Sequence, residues 1–258
     1  MQPLVYTPVM QATGQFDGGK ITEQKPIGFP GEGSVIKRVG PLFYWAWAAA
    51  SEDAHIGLHP HQGFEIMSYV LKGEAVHGDT LGTVSTVGEG GVQVMQTGSG
   101  VSHEERLSAG SELFQIWLEP DLREAVKRVP TYRQFEHSEF AVTEGEGYRR
   151  KTVLGDGSPI ELVAEANMWD LSVVPGGTYV QVVKAGYALT ALAVGGQGGM
   201  WTVHDAAGRK AGFANRDFVV GQTESGTEIA ISNTGKEELR LFLIEVPETV
   251  SYQLLRKR

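Results

Sequence analysis

His59-Pro60-His61-Gln62-Gly63-Phe64-Glu65 is the stretch on which the reading of this chain turns. Side chains two positions apart in an extended segment share a face, so His59 and His61 form one chelating arm. A proline between them is tolerated at a strand start or on an edge strand, where its missing N–H costs no ladder bond. His103-Glu104-Glu105 repeats the spacing further along. There His103 and Glu105 share a face and Glu104 points the other way. Three neutral imidazoles and one carboxylate suit a divalent transition metal, and they leave coordination positions free for water or substrate. The other histidines lie singly; His55 and His137 belong to no pattern and are expected at the surface, and His204 is the one histidine beyond Tyr148, where strand rhythm resumes.

Outward from that stretch the chain is punctuated by glycine, 34 in 258 residues, falling between short apolar runs. The runs 42–47, 65–71, 75–77, 83–87, 92–95 and 113–118 read as strands, with turns at 79–82, 88–91 and 98–100. A further strand is expected over 34–39, and residues 1–33 are expected to be irregular because Gly18, Gly19, Pro26, Pro30 and Gly31 interrupt them. The charged stretch 120–146 reads as a connector with a helical turn near 122–128. Strand rhythm resumes from Tyr148, with runs at 160–163, 168–173, 179–183, 187–194, 218–220, 228–231 and 239–246. The last residues, 250–258, are expected to pack back as helix or strand. Many short strands with almost no helical period point to an all-β sandwich or barrel used twice.

Composition excludes several classes. A formal net charge of −9 disfavours direct contact with a phosphate backbone. The basic tail Arg256-Lys257-Arg258 reads as a solvated end. There is no cysteine, which removes disulfides and thiolate ligands and fits a reducing, cytoplasmic setting. No stretch of about 18 apolar residues is present to form a spanning helix, and Met1 to Tyr6 does not resemble a leader.

The spacing His59-x-His61-x-x-x-Glu65 resembles the first cupin motif, and Gly98-x-Gly100-x-x-His103 the second. The longer pattern is more specific. His59-Pro60-His61-x-Gly63-Phe64-Glu65, Tyr69-Val70-Leu71-x-Gly73-Glu74, His77-x-Asp79-Thr80-x-Gly82, and the stretch from Val92-Gln93 through His103-x-Glu105 to Leu113-Phe114-Gln115-Ile116-Trp117 together resemble the pirin family. The resemblance covers about residues 55–120. Gln62, Gly91 and Val94-Met95 depart from the usual family residues at the rim and in packing.

That resemblance implies an all-β bicupin, two jelly-roll-type barrels. Residues 1–135 would form the metal-bearing cupin domain and 136–258 a cupin-like domain without metal. It implies one mononuclear metal, Fe(II) first, with Mn, Ni, Cu or Zn as alternatives. The ligands carried over are His59, His61, His103 and Glu105. General cupins would instead take the carboxylate from Glu65, and both glutamates have the right strand parity. It also implies a quercetinase-like dioxygenase, in which Glu105 accepts the proton of a flavonol 3-hydroxyl, or else a redox- or metal-sensing protein that regulates a transcription factor or metabolic enzyme. The expected partner is a small aromatic substrate such as a flavonol, or a protein; the expected state is a monomer without nucleic acid or membrane. His77 is either a pocket residue or a turn-facing polar one, and Gln115 either faces the cavity or follows plain strand alternation. Trp45 and Trp47 are expected to fill core.

Overall fold

The apolar runs pair edge to edge because each has one face to bury and a full row of backbone donors and acceptors to satisfy. The computed structural model describes residues 1–257. Two compact units emerge, one made of 11–139, 162–164 and the tail from Ser251, the other of 1–10, 140–161 and 165–250. Each contains one seven-stranded and one four-stranded antiparallel sheet. The fold is therefore all-β, with the same pairing of sheets used twice.

In the unit that carries the histidines, the seven-stranded sheet runs Thr131–Phe135, Val92–Gln96, Glu65–Lys72, Glu112–Leu118, Leu42–Ala50, Ile21–Ile27, Ala12–Phe16. The four-stranded sheet runs Ala54–His61, Val101–Leu107, Glu74–Asp79, Val84–Gly88. Ile21, Val70 and Leu113 from the first sheet pack against Ala54, Ala75, Val87 and Leu107 from the second. Trp45 is wholly buried, as expected of a core residue, and Trp47 is buried with its indole N–H donated to Glu112 at 2.9 Å. Burial of each such ring contributes about 1.5–3 kcal/mol. Gly98, in the turn before the second histidine strand, has φ +47°, and a Cβ there would stand 2.4 Å from the Arg128 carbonyl oxygen. Only glycine fits that turn.

The other unit fills its interior with Trp169, Tyr179, Trp201, Phe213 and a layer of aliphatic side chains. His204 lies there half-exposed, 3.9 Å from Glu228. The strand Leu4–Tyr6 enters this unit by pairing with Phe218–Thr223.

Several local expectations are corrected. Residues 1–33 are not irregular: Ala12–Phe16 and Ile21–Ile27 form a hairpin around Asp17–Gly19. Gly18 and Gly19 are its turn, with φ +67° and +96°. The second strand was masked in the sequence because its buried residues are polar and satisfy one another, Glu23 with Lys25 at 3.1 Å and Gln24 with Gln11 at 2.7 Å. Pro26 is tolerated because the ladder to Leu42–Ala50 shifts register between Gln24 and Ile27. Residues 34–39 form no strand beyond a single bridge at Val39. There the Ser34 hydroxyl accepts from the Ala12 and Gly28 N–H groups, replacing ladder bonds.

The stretch 120–146 has the expected helical turn, Leu122–Ala125 capped by Asp121, but also two strands, Thr131–Phe135 and Val142–Gly145. Residues 160–163 form no strand; the Val163 and Ala164 N–H groups go to a carboxylate instead. Strands at Gly199–Val203 and Lys210–Phe213 went unread, since glycine and charge break their alternation. Residues 250–257 form neither helix nor strand. Lys257 is not solvated: its ammonium donates to the carbonyls of Lys37, at 2.6 Å, and Phe43, and burial pushes it down to about 7. Arg256 is exposed; Arg258 lies outside the described residues.

Candidate metal centre

The strands Ala54–His61 and Val101–Leu107 are hydrogen-bonded neighbours, with His59 opposite His103 and His61 opposite Val101. One irregularity sets the site. Between the pairs His103–His59 and Glu105–Ile56 the first strand spends three steps against two. This β-bulge around Gly57 and Leu58 resets the alternation, so that Ala54 and Ile56 face inward before it and His59 and His61 after it. His59 Nδ1 is 2.8 Å from the Gly57 carbonyl, which fixes the ring within the bulge. On the facing strand Val101, His103, Glu105 and Leu107 are buried, while Glu104 turns outward to His55 and Arg106.

The His59, His61 and His103 ligand nitrogens all lie within 4.8 Å of one another. His61 Nε2 and His103 Nε2 are 3.0 Å apart. The His61 ring meets Trp117 edge-on, with centroids 4.8 Å apart. Burial, and then the neighbouring His59, pushes His61 down to about 4; burial with His61, His59 and His77 pushes His103 down to about 2. Such imidazoles keep their lone pairs free at neutral pH, which is the form that binds a cation. The donor set therefore fits a divalent ion.

Glu105 lines the same cavity as the three histidines. Its Oε1 accepts from Ser68 Oγ at 3.2 Å and from Gln115 Nε2 at 2.5 Å. Gln115 Oε1 in turn accepts from the Trp117 indole N–H at 3.3 Å. Burial pushes the Glu105 carboxyl up to about 7, against the pull of the Ser68 donor. Gln115 thus faces the cavity. His77 does not: it is buried behind His103, paired with Asp79 at 2.8 Å and stacked on Tyr132. Burial lowers its basicity although Asp79 opposes this. His55 is exposed, as expected, and so is His137.

Glu65 is placed differently from Glu105. It is 2% exposed and absent from the cavity wall, and its carboxylate accepts from Gln96 Nε2 at 2.6 Å and from the Val163 and Ala164 N–H groups at 2.8 Å each. It clasps a returning segment of chain. The cavity itself encloses about 310 Å³, between the two sheets, with Phe29, Tyr44 and Trp117 as aromatic wall. Sequence reasoning missed three of its residues, Phe16, Glu23 and Phe29, because they lie in the stretch read as irregular.

A proton count gives one test. In the metal-free fold Glu105 holds its proton to about pH 7, whereas its ordinary value is 4.5. The folded state binds more protons between those values, so this group's contribution is full below pH 4.5 and falls as pH rises through 7. Against Glu105→Gln, metal-free wild type should lose roughly 3 kcal/mol of stability across that window, read from denaturant midpoints. Parallel pH profiles for the two proteins would contradict the buried, proton-holding carboxyl.

The family pattern described as Pirin matches residues 43–118, the span that holds every residue of this metal cluster and Glu105. Over that span the chain carries the pirin pattern. A pirin-like protein of Arabidopsis thaliana is 35% identical over 104 residues, 38% of this chain and 33% of that protein. A quercetin 2,3-dioxygenase of Escherichia coli (strain K12) is 29% identical over 152 residues, 50% of this chain and 63% of that one. The chain thus spans a third to less than two thirds of the length of these two relatives. The bacterial pirin YhhW of Escherichia coli, solved in complex with nickel(II), superposes with a TM-score of 0.75 at 22% identity, over 95% of this chain and 99% of that one. The likeness of fold to that structure extends over 95% of this chain, beyond the residues that carry the family pattern.

Proposed function

We propose that this protein is a mononuclear-metal dioxygenase of the quercetinase type, opening a flavonol ring with dioxygen. The observation that carries the reading is the convergence of three imidazoles and a glutamate in one aromatic-walled cavity. His59, His61 and His103 would hold the ion, with Glu105 as the carboxylate. Iron(II) is the proposed ion; the nickel(II) in the Escherichia coli pirin supports a divalent site. When bound, the ion supplies a Lewis acid for the substrate oxygen and a place for dioxygen.

The chain's own residues do the rest. Phe29 stacks on Tyr44, with centroids 4.3 Å apart, and Trp117 closes on both, so a planar aromatic substrate is received among rings already in place. Glu105, poised near neutrality, takes the proton of the 3-hydroxyl as that oxygen becomes an enolate. Gln115 keeps the Glu105 oxygen turned into the cavity through the reaction. The surrounding rings exclude water from the reacting carbon atoms. Overall, one flavonol and one dioxygen give the ring-opened ester and carbon monoxide.

Iron-loaded protein in air should consume flavonol and release carbon monoxide in equal amounts, and Glu105→Gln should lower kcat by about 100-fold or more. Iron-loaded wild type that binds flavonol and releases no carbon monoxide would overturn the enzymatic reading in favour of metal-dependent binding.

A further inference from the structure

The unit that contains Trp169, Tyr179 and Trp201 holds a cation without a counter-charge. Arg150, on Tyr148–Leu154, is half-buried. Its Nη1 donates at 3.1 Å to the hydroxyl of Tyr179, on the strand Thr178–Val183 of the facing sheet. Its Nε is sealed from water without a hydrogen-bond partner, and its Nη2 makes no hydrogen bond and is open to water. The other half-buried arginines among the described residues each hold a carboxylate: Arg38 holds Glu119, Arg209 holds Asp205 at 2.6 Å and Arg240 holds Asp170 at 2.8 Å. Among the described residues Arg150 has no such partner. A guanidinium that has lost part of its hydration to no opposite charge is unfavourable.

Its neighbours add to that charge rather than relieve it. The Tyr179 hydroxyl donates onward to Gln181 Oε1 at 2.6 Å, and Gln181 Nε2 donates to the Val182 carbonyl at 2.9 Å. Every donor in this chain points away from Arg150, so the guanidinium is its positive end. Tyr148 lies two positions before Arg150 on the same face of the strand, and its ring meets that of Tyr179 edge-on with centroids 4.9 Å apart. The Tyr148 hydroxyl makes no hydrogen bond among the described residues and is open to water. Gly145 on the neighbouring strand leaves room for that ring, since a Cβ there would stand 2.3 Å from it.

These strands hold the same sheet positions as strands of the metal cavity in the other unit. Tyr148–Leu154 is next to last in its seven-stranded sheet, as Ile21–Ile27 is, and Thr178–Val183 edges its four-stranded sheet, as Ala54–His61 does. The edge strand that supplies His59 and His61 in one unit supplies Tyr179 and Gln181 in the other. One unit presents lone pairs there; the other presents a cation and hydrogen-bond donors.

We propose that Arg150 and Tyr148 form a second ligand site, separate from the metal centre, that takes a small organic carboxylate. The planar guanidinium matches a carboxylate in shape, the Tyr148 hydroxyl adds a donor, and the tyrosine rings give the ligand an apolar side. One guanidinium answers one negative charge. A dianion such as phosphate brings a second, in a chain whose net charge is already −9.

The test is calorimetric titration of benzoate into full-length protein loaded with iron(II), under nitrogen, with benzamide and inorganic phosphate as comparison ligands. Benzoate should bind with a Kd of roughly 1 mM or tighter, and the other two at least about tenfold more weakly. Arg150→Met should weaken benzoate by about tenfold or more and leave the iron content unchanged. Tyr148→Phe, which keeps the ring, should weaken it about three- to tenfold and carries the test should the arginine variant fail to fold. In His103→Ala, which removes a metal ligand, benzoate should bind as in wild type. Loss of binding in His103→Ala would place the carboxylate on the metal and overturn the proposal. Unchanged binding in a folded Arg150→Met, benzamide or phosphate bound as tightly as benzoate, or no benzoate bound at about 10 mM would each overturn it as well.

Discussion

His103→Ala should purify without metal. Elemental analysis of wild type reconstituted with iron(II) should give about one ion per chain, and the variant should hold under a tenth of that. The reason is the position of His103 rather than the bare count of ligands. It is 3% exposed, its ring lies 4.5 Å from that of His59 and 4.8 Å from that of His61, and its Nε2 faces His61 Nε2 at 3.0 Å. Without it, two imidazoles remain on a single strand and the second strand contributes only Glu105. Residues outside the ligand shell commonly cost 10- to 100-fold in metal affinity when lost, so loss of this ligand should cost more than about 100-fold. Stability gives a second readout. Ion at about 100 times its Kd should stabilise wild type by about 2.7 kcal/mol and leave the variant unmoved. In the metal-free state the variant should be no less stable than wild type by more than about 1 kcal/mol, because the imidazole is buried in its neutral form with little hydrogen bonding to lose. A stoichiometric ion in His103→Ala would remove this residue from the ligand set.

The legible and illegible parts of the chain divide along a physical line. Strands with one apolar face, such as Leu42–Ala50 and Leu239–Pro247, announce themselves by composition. The histidine arms were legible because parity in a strand is a local property, and because Pro60 and the following Gly63 mark the edge and turn. The β-bulge at Gly57 and Leu58 was not legible: nothing in Gly-Leu distinguishes an extra residue from plain alternation, and only the register against Val101–Leu107 reveals it. Ile21–Ile27 was hidden for a different reason. Glu23, Gln24 and Lys25 read as solvent-facing, and they are buried only because partners from Gln11, Glu32 and Tyr44 arrive from elsewhere. The basic tail failed likewise, since the carbonyls that hold Lys257 lie more than 200 positions earlier. Long-range polar satisfaction has no sequence period, and that is where reading from sequence stopped.

The two glutamates of equal parity should separate cleanly under substitution. Glu65→Ala should lower stability by about 3–5 kcal/mol and leave the metal content at about one ion per chain. Its carboxylate is the acceptor for two backbone N–H groups 98 and 99 positions away and for Gln96. The substitution takes this acceptor from all three donors, and each one left unsatisfied costs roughly 1–3 kcal/mol. Glu105→Ala should show the reverse. Burial already pushes its carboxyl up to about 7, so at pH 8 the folded state bears a desolvated charge that the substitution relieves. Its removal should change metal-free stability by no more than about 1 kcal/mol while cutting iron content. The outcomes are read together, by denaturant midpoint and elemental analysis on the same preparations. Full iron in Glu105→Ala with loss of iron in a stably folded Glu65→Ala would make Glu65 the metal carboxylate, as in the general cupin pattern. The contacts argue against that exchange: Glu65 accepts from the Val163 and Ala164 N–H groups, in the segment Leu162–Ala164 that joins the same compact unit, whereas Glu105 lines the cavity with the three histidines.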